Sequence, residues 1–172
     1  MTDLSSFIRD IPDFPKPGIV FKDITPMLGD GKALAASIQQ LKEAVSDLEF
    51  DAIVGIESRG FMFGAALACE VGKGFVPVRK PGKLPYKTVS QEYTLEYGTD
   101  TIEMHHDALS PGHKVLVVDD LIATGGTAAA TCNLVEKLGA EVVALAFVVS
   151  LDFIPWAARL ENRDVRVLLR YS

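Results

Sequence analysis

The sequence is short of the residues that usually announce a special chemistry. It has two cysteines, Cys69 and Cys132, set among Ala and Leu in helix-like segments. They read as small buried thiols of a reducing cytosol, not as a disulfide or a metal pair. No apolar run approaches the roughly 18 residues of a membrane span, and the opening MTDLSSFIRD lacks a charged-then-apolar leader pattern. A cytoplasmic location is expected. Positive charge is in deficit, with a formal net charge of −6, which argues against broad nucleic-acid binding because phosphate-backbone affinity rests on an excess of Lys and Arg. Neither G-x-x-x-x-G-K-[ST] nor G-x-G-x-x-G occurs, so the fingerprints of a nucleoside triphosphatase loop and of a dinucleotide fold are both missing. There is also no internal repeat and no low-complexity linker.

What remains is the composition of one soluble globular domain: 172 residues, 48% hydrophobic and 23% charged, enough for a substantial core. An arm rich in turn formers, residues 1–31, precedes a helical pattern from Lys32 to Leu48, where Leu34, Ile38, Leu41, Val45 and Leu48 recur at spacings of three and four. Short apolar runs of strand type follow at 52–56, 74–79, 115–118, 142–149 and 165–169. Segments of helix-forming composition lie between the first two runs and between the third and fourth, with Gly72 and Gly139 placed as C-terminal caps. This alternation predicts an α/β fold with a parallel sheet covered on both faces. Residues 80–109 break the rhythm: TVSQEYTLEYG and DTIEMHHDAL are two strand-like pieces about a Gly98-Thr99 turn, which predicts a projecting hairpin or flexible flap.

Ligands of open parallel sheets bind beyond the carboxyl ends of the strands, and the residues there are informative. They are Glu57-Ser58-Arg59-Gly60 after the first run, Arg79, Lys80 and Lys83 after the second, Asp119 and Asp120 after the third, and Ser150, Leu151 and Asp152 after the fourth. The stretch VLVVDDLIATGGT, Val115 to Thr127, is the most specific. Its small residues Thr124 to Thr127 would turn from strand into helix so that backbone N–H groups and two hydroxyls close around a phosphate at the helix start. Asp119 and Asp120 stand just ahead, placed to accept hydrogen bonds from sugar hydroxyls. A phosphorylated sugar is the natural ligand. His105-His106-Asp107 invites a metal or proton-shuttle reading, but adjacent histidines on a strand point to opposite faces and do not easily share an ion. These residues, like His113, read as structural.

The 13 residues of that stretch resemble the phosphoribosyl-pyrophosphate motif of the type I phosphoribosyltransferases. Together with PDFPKPGIVFKDITPML (12–28), ESRGFMFG (57–64), VRKPGKLP (78–85) and YTLEYGTD (93–100), they make nearly the whole chain similar to the adenine-specific branch of that family. The resemblance implies a type I phosphoribosyltransferase fold: a central parallel sheet of about five strands flanked by helices, an N-terminal hood and a hairpin flap. It implies purine salvage, in which adenine and 5-phosphoribosyl 1-pyrophosphate give AMP and pyrophosphate through an oxocarbenium-like transition state.

The roles it implies fall on these residues. Ala123, Thr124, Gly125, Gly126 and Thr127 would hold the 5-phosphate, and Asp119 and Asp120 the ribose hydroxyls. Ser58 and Arg59 would form the pyrophosphate loop, with a cis peptide at Glu57-Ser58, and Arg79, Lys80 and Lys83 would add positive charge. Val20, Phe21 and Lys22 would line the purine, Lys22 standing where an Arg is usual, with Leu151 closing the opposite face. Glu96 would be the acid–base residue and Tyr97 would cover the site; the position that carries a carboxylate in oxopurine enzymes is Ala123 here. Mg²⁺ would be held mainly by substrate and water with no direct side-chain ligand, and the protein would be a homodimer. The chain departs from the family pattern near Ala157-Ala158, where a Gly-Arg pair is common. A regulatory sensor of the same sugar pyrophosphate is disfavoured by the acidic charge and the lack of a further DNA-binding domain. A transferase for an oxopurine is disfavoured by the hood sequence, Ala123 and LEYG.

Overall fold

The computed structural model describes residues 2–94 and 98–172, and the elements below are those of the described residues. Glu96 and Tyr97, the expected acid–base residue and its cover, lie outside them. The arm forms a short antiparallel hairpin, β1 (Arg9–Pro12) and β2 (Val20–Asp23), with Ile11 opposite Phe21. Two helices follow. The short α1 (Thr25–Gly29) has Pro26 in its first turn, where the missing N–H costs no helical hydrogen bond. Helix α2 (Gly31–Ala44) begins at Asp30, whose side chain accepts from the amides of Lys32 and Ala33, both at 2.9 Å.

Helix α2 stops four residues before the expected Leu48. Val45, Ser46 and Asp47 form a turn in which Ser46 Oγ donates to the Glu43 carbonyl at 2.8 Å. Side chains that offer the backbone such local partners end helices that apolar spacing alone would continue.

The centre is a five-stranded parallel sheet in the order β4-β3-β7-β8-β9. Its strands are β3 (Ala52–Ile56), β4 (Gly74–Val78), β7 (Lys114–Ile122), β8 (Glu141–Leu151) and β9 (Val165–Tyr171). Helix α3 (Gly60–Val71) joins β3 to β4 and α4 (Gly126–Lys137) joins β7 to β8. Gly72 and Gly139 take left-handed φ values of 67° and 77° just after these helices, the stop that the sequence predicts.

Alternating residues feed two cores, as the twofold repeat of a strand requires. Ile53, Leu116 and Val118 pack with Leu41, Phe63 and Leu67 of α2 and α3 on one face. Val54, Val117 and Phe147 pack with Leu134 and Val135 of α4, and with Ile102 and Met104, on the other. Each fully buried side chain of this size stabilises the fold by about 1.5–3 kcal/mol.

Ile102 and Met104 come from the flap, so this excursion is anchored in the core. It forms β5 (Thr88–Thr94) and β6 (Thr99–His105), antiparallel with Thr94 opposite Thr99. The second strand ends at His105, earlier than the predicted run to Leu109. His106 therefore lies in a turn, and both imidazoles meet the Tyr86 ring edge-on, at 5.3 Å from His106 and 6.1 Å from His105. The expectation of opposite faces fails because it assumed a continuing strand. Cys132 is buried, and burial pushes its thiol up to about 11, but Cys69 is exposed. Helix α3 is apolar almost all round, so composition could not tell its outer face from its inner one.

Candidate active site

Chain order reverses across the sheet between β3 and β7: β4 lies outside β3 on one side, and β7 to β9 extend on the other. The crevice beyond this switch point is where such sheets bind ligands. It holds three adjoining recesses. The first, of about 510 Å³, is lined by Glu57, Ser58, Arg59, Lys80, Asp119 and Thr127 among others. A second of about 140 Å³ is lined by Asp119 and the loop from Leu121 to Ala128. The third, of about 610 Å³, lies under the hood between Val20, Phe21, Lys22, Leu121, Ala123, Thr124 and Leu151. All three share walls drawn from the single segment 119–127.

That segment starts inside the sheet. Strand β7 runs to Ile122, longer than the predicted 115–118, so Asp119 and Asp120 are strand residues, and Asp119 pairs with Phe147 of β8. Asp120 is 5% exposed. Arg59 Nε stands 2.8 Å from Asp120 Oδ2, yet that buried oxygen accepts no hydrogen bond of good geometry. The attraction is one of charge, with a hydrogen-bonding position left over. Burial raises the Asp120 carboxyl above its ordinary range, against the pull of Arg59. Asp119 is raised further, first by burial and then by the neighbouring Asp120 charge. Two carboxyls in one cleft, both costly to ionise, are poised to gain from donors that a ligand brings.

The loop after β7 is built for close approach. Gly125 caps α4 with φ 75°, a conformation that favours glycine. A Cβ there would also stand 3.1 Å from the Trp156 carbonyl. The amides of Gly125, Gly126 and Thr127 thus open the helix without a side-chain cap, leaving donors at its positive end.

The expected cations divide. Arg59 and Lys80 line the first recess. Arg79 instead gives its Nε to Glu57 Oε2 at 2.7 Å, and its guanidinium lies 5.9 Å from the Phe61 ring centre. Lys83 is exposed and lines none of the three recesses. The peptide between Glu57 and Ser58 is cis, as the resemblance implies. In the hood, Phe21 has the Phe14 ring edge-on at 5.3 Å and the Arg59 guanidinium at 5.8 Å. Lys22 is held by Asp10 at 2.7 Å and lies 4.3 Å above the Tyr171 ring.

Several residues at the site went unnoticed in the sequence. Tyr93 and Asp100 of the hairpin meet Lys80, and Tyr93 also meets Thr127. The Asp100 carboxyl is held below its ordinary range, first by the Lys80 hydrogen bond. For Lys80, burial acts to lower the ammonium, but bonds to Asp100 and Tyr93 outweigh it and the net shift is upward. The stretch that departs from the family pattern supplies Trp156, buried with its indole N–H on Asp152 Oδ1 at 3.2 Å. It also supplies Arg159, whose Nη1 donates to the Thr94 carbonyl at 3.3 Å. No spacing rule reveals the contacts of Tyr93, Asp100 and Arg159, because each joins residues far apart in the chain.

Fold and site together define a transferase of phosphorylated sugars. The phosphoribosyl transferase domain family matches residues 22–163, and the chain belongs to that family. Within it the chain falls among the adenine phosphoribosyltransferases. The adenine phosphoribosyltransferase of Thermotoga maritima is 59% identical over 169 residues, covering 98% of this chain and 98% of its own. The crystal structure of the Thermoanaerobacter pseudethanolicus enzyme superposes with a TM-score of 0.95 at 52% identity, covering 98% of each chain. That of the Saccharomyces cerevisiae enzyme, complexed with an imino-altritol bisphosphate and adenine, gives 0.90 at 43% identity, covering 96% of each.

Proposed function

We propose that this chain forms AMP and pyrophosphate from adenine and 5-phosphoribosyl 1-pyrophosphate, with the three recesses taking the three parts of the reacting pair. The observation that carries the reading is their common wall. One segment, 119–127, borders the cationic cleft, the phosphate-sized loop and the hood cavity, so a ribose held at Asp119 and Asp120 would reach all of them. Ala123 to Thr127 would bind the 5-phosphate through backbone amides and hydroxyls. The ribose hydroxyls would donate to the two carboxyls, including the unsatisfied Oδ2 of buried Asp120, and so offset the desolvation that raises them. Pyrophosphate would lie over Ser58, Arg59 and Lys80, and the purine between Phe21 and Leu151.

In the reaction a ring nitrogen of adenine forms a bond to C1 of the ribose as the C1–O bond to pyrophosphate breaks. Charge builds on the departing oxygens and on an oxocarbenium-like sugar. Arg59 and Lys80, held in place before reaction by Asp120 and Asp100, would stabilise the leaving group electrostatically. The proton lost from adenine would pass to Glu96, with Tyr97 closing the site.

Mg²⁺ takes oxygen ligands and keeps several waters. The cleft offers the carboxylates of Asp119 and Asp120, oxygen donors of the kind Mg²⁺ accepts, and in this reading the ion is carried mainly by substrate and water. When bound, Mg²⁺ supplies positive charge to the pyrophosphate. A homodimer and a cytoplasmic location belong to the same reading and rest on kinship; among the described residues no helix is long and apolar enough to cross a membrane.

The test is to incubate the protein with 5-phosphoribosyl 1-pyrophosphate, Mg²⁺ and each purine base in turn, following nucleotide formation. AMP from adenine, with hypoxanthine and guanine idle, is expected. Nucleotide from an oxopurine, or none from adenine, would overturn the assignment.

A further inference from the structure

The phenol of Tyr93 joins the hairpin to two residues of the site, and all its hydrogen-bonding capacity is in use. Its oxygen accepts from Thr127 Oγ1 at 3.2 Å and from Lys80 Nζ at 3.2 Å, and it donates to Asp100 Oδ2 at 3.3 Å. One donor and two acceptor positions are all that a phenol has. Lys80 is also paired with Asp100, which leaves its ammonium one hydrogen to spend. Thr127 has none to spare: its hydroxyl carries a single hydrogen, and that hydrogen goes to Tyr93. A phosphate bound at the start of α4 and accepting from this hydroxyl must take the bond away from the hairpin.

We propose that Tyr93 is a positioning residue that couples occupancy of the phosphate loop to the set of the β5–β6 hairpin. The phenol and a sugar phosphate compete for the one hydroxyl hydrogen of Thr127, so binding of the phosphate loosens the hairpin that carries the LEYG segment. The inference rests on the reading of Thr124 to Thr127 as the phosphate site and adds to it a residue outside the loop. Two features keep the competition local. Arg159 ties Thr94 independently of the phenol, and the Tyr93 ring packs against the core formed by β7, β8 and α4. Loss of the hydroxyl alone therefore leaves the hairpin attached.

The experiment compares the parent protein with Tyr93→Phe by amide hydrogen exchange in residues 88–94 and 99–105, with and without saturating ribose 5-phosphate, whose binding is measured by calorimetry. Exchange reports the opening of such local units directly. In the parent, ribose 5-phosphate is expected to speed exchange of the hairpin several-fold. Tyr93→Phe should exchange at the faster rate already and not respond. Its KM for 5-phosphoribosyl 1-pyrophosphate should fall about two- to tenfold, the effect of one net hydrogen bond no longer displaced, with kcat changing less.

Asp100→Asn is the second variant. It removes the Lys80 ion pair but keeps the Thr127–Tyr93 bond, so it should retain the response. If Tyr93→Phe responds like the parent, or if its KM rises, the coupling is overturned while the phosphate site stands. Loss of the response in Asp100→Asn would move the link to Lys80 and overturn the role of Tyr93. Failure of ribose 5-phosphate to bind the parent would remove the phosphate-loop reading and this inference with it.

Discussion

Gly60, the first residue of α3, lies so close to Asp119 that a Cβ on it would stand 2.6 Å from Oδ1 and 3.0 Å from the Asp119 Cα. The helix start and the acid share one space, and only a residue without a side chain allows both. Gly60→Ala should therefore turn the Asp119 carboxyl away from the ribose position. Because the carboxyl can rotate and the backbone contacts are only slightly too short, the expected loss of stability is about 1–3 kcal/mol. The loss of kcat/KM should exceed tenfold, since Asp119 no longer accepts from the sugar. Urea unfolding and steady-state kinetics on the same preparation separate the two; a stable variant with parental activity would show that Asp119 has no such role.

Asp119 also stores a cost. Its folded-state carboxyl is raised well above the ordinary 3.8, chiefly by burial and then by Asp120. Between 3.8 and the raised value the native state binds more protons than the unfolded chain, so this group's contribution to stability falls as pH rises through that window. Asp119→Asn removes the buried charge and keeps an oxygen for the Asp120 amide, which Asp119 Oδ1 now accepts at 2.8 Å. The variant should melt higher than the parent at pH 7, and the gain should shrink on acidification and vanish below 3.8. Taking the difference between variant and parent cancels carboxylates shifted the other way, such as Asp100 and Asp152. Activity should drop even as stability rises, and melting curves that coincide at every pH would refute the account.

These two residues mark where sequence reasoning succeeds and where it stops. The paired acids and the T-G-G-T turn are legible because adjacent carboxylates on an apolar strand and small residues at a helix start have few packing uses, and the alternation of β3, α3 and β4 is legible from apolar period and glycine caps. Gly60 reads only as a helix-starting glycine until α3 is laid against β7. Tyr93, Asp100 and Arg159 reach the site through hydrogen bonds that span 13 to 65 residues; such contacts are set by tertiary packing, which no local pattern encodes. The misjudged end of α2 and the exposed Cys69 have the opposite cause, a local pattern applied one turn or one helix face too far.

Among the basic residues after β4, position in the fold separates those that charge alone does not. Lys80 lines the cleft, whereas Lys83 is exposed and outside it. Lys80→Met should raise KM for 5-phosphoribosyl 1-pyrophosphate roughly 10- to 150-fold, the range for one hydrogen bond to a charged group. Lys83→Met should change it less than twofold. Equal effects from the two substitutions, measured at one ionic strength, would mean that the loop moves to deliver both cations.

For Glu96 the reading is one of proton transfer, so its signature lies in turnover. Glu96→Gln keeps size and hydrogen bonding but cannot take a proton. It should lower kcat by about 10²–10⁴-fold, the usual worth of a positioned acid–base group, with KM for adenine changing far less. Kinetics equal to the parent would take Glu96 out of the mechanism.

The hood offers a contrast between two neighbouring residues on β2. Phe21 lines the hood cavity, its ring touching Phe14 and the Arg59 guanidinium rather than filling the core. Stacking of a base on an aromatic ring is worth about 1–3 kcal/mol when the ring is cut back to alanine, so Phe21→Ala should raise KM for adenine roughly 5- to 150-fold. Lys22 is committed to Asp10 and the Tyr171 ring, and Asp10 is largely exposed in that pair, with 58% side-chain exposure. Breaking it costs about 0–1 kcal/mol. Lys22 lines the same cavity, but with its ammonium engaged elsewhere Lys22→Met should lower thermal stability slightly and leave adenine KM within twofold, the outcome expected if the side chain braces the hood. A large loss of adenine affinity in Lys22→Met, with Phe21→Ala nearly silent, would reverse the two assignments and move base recognition from the ring to the cation.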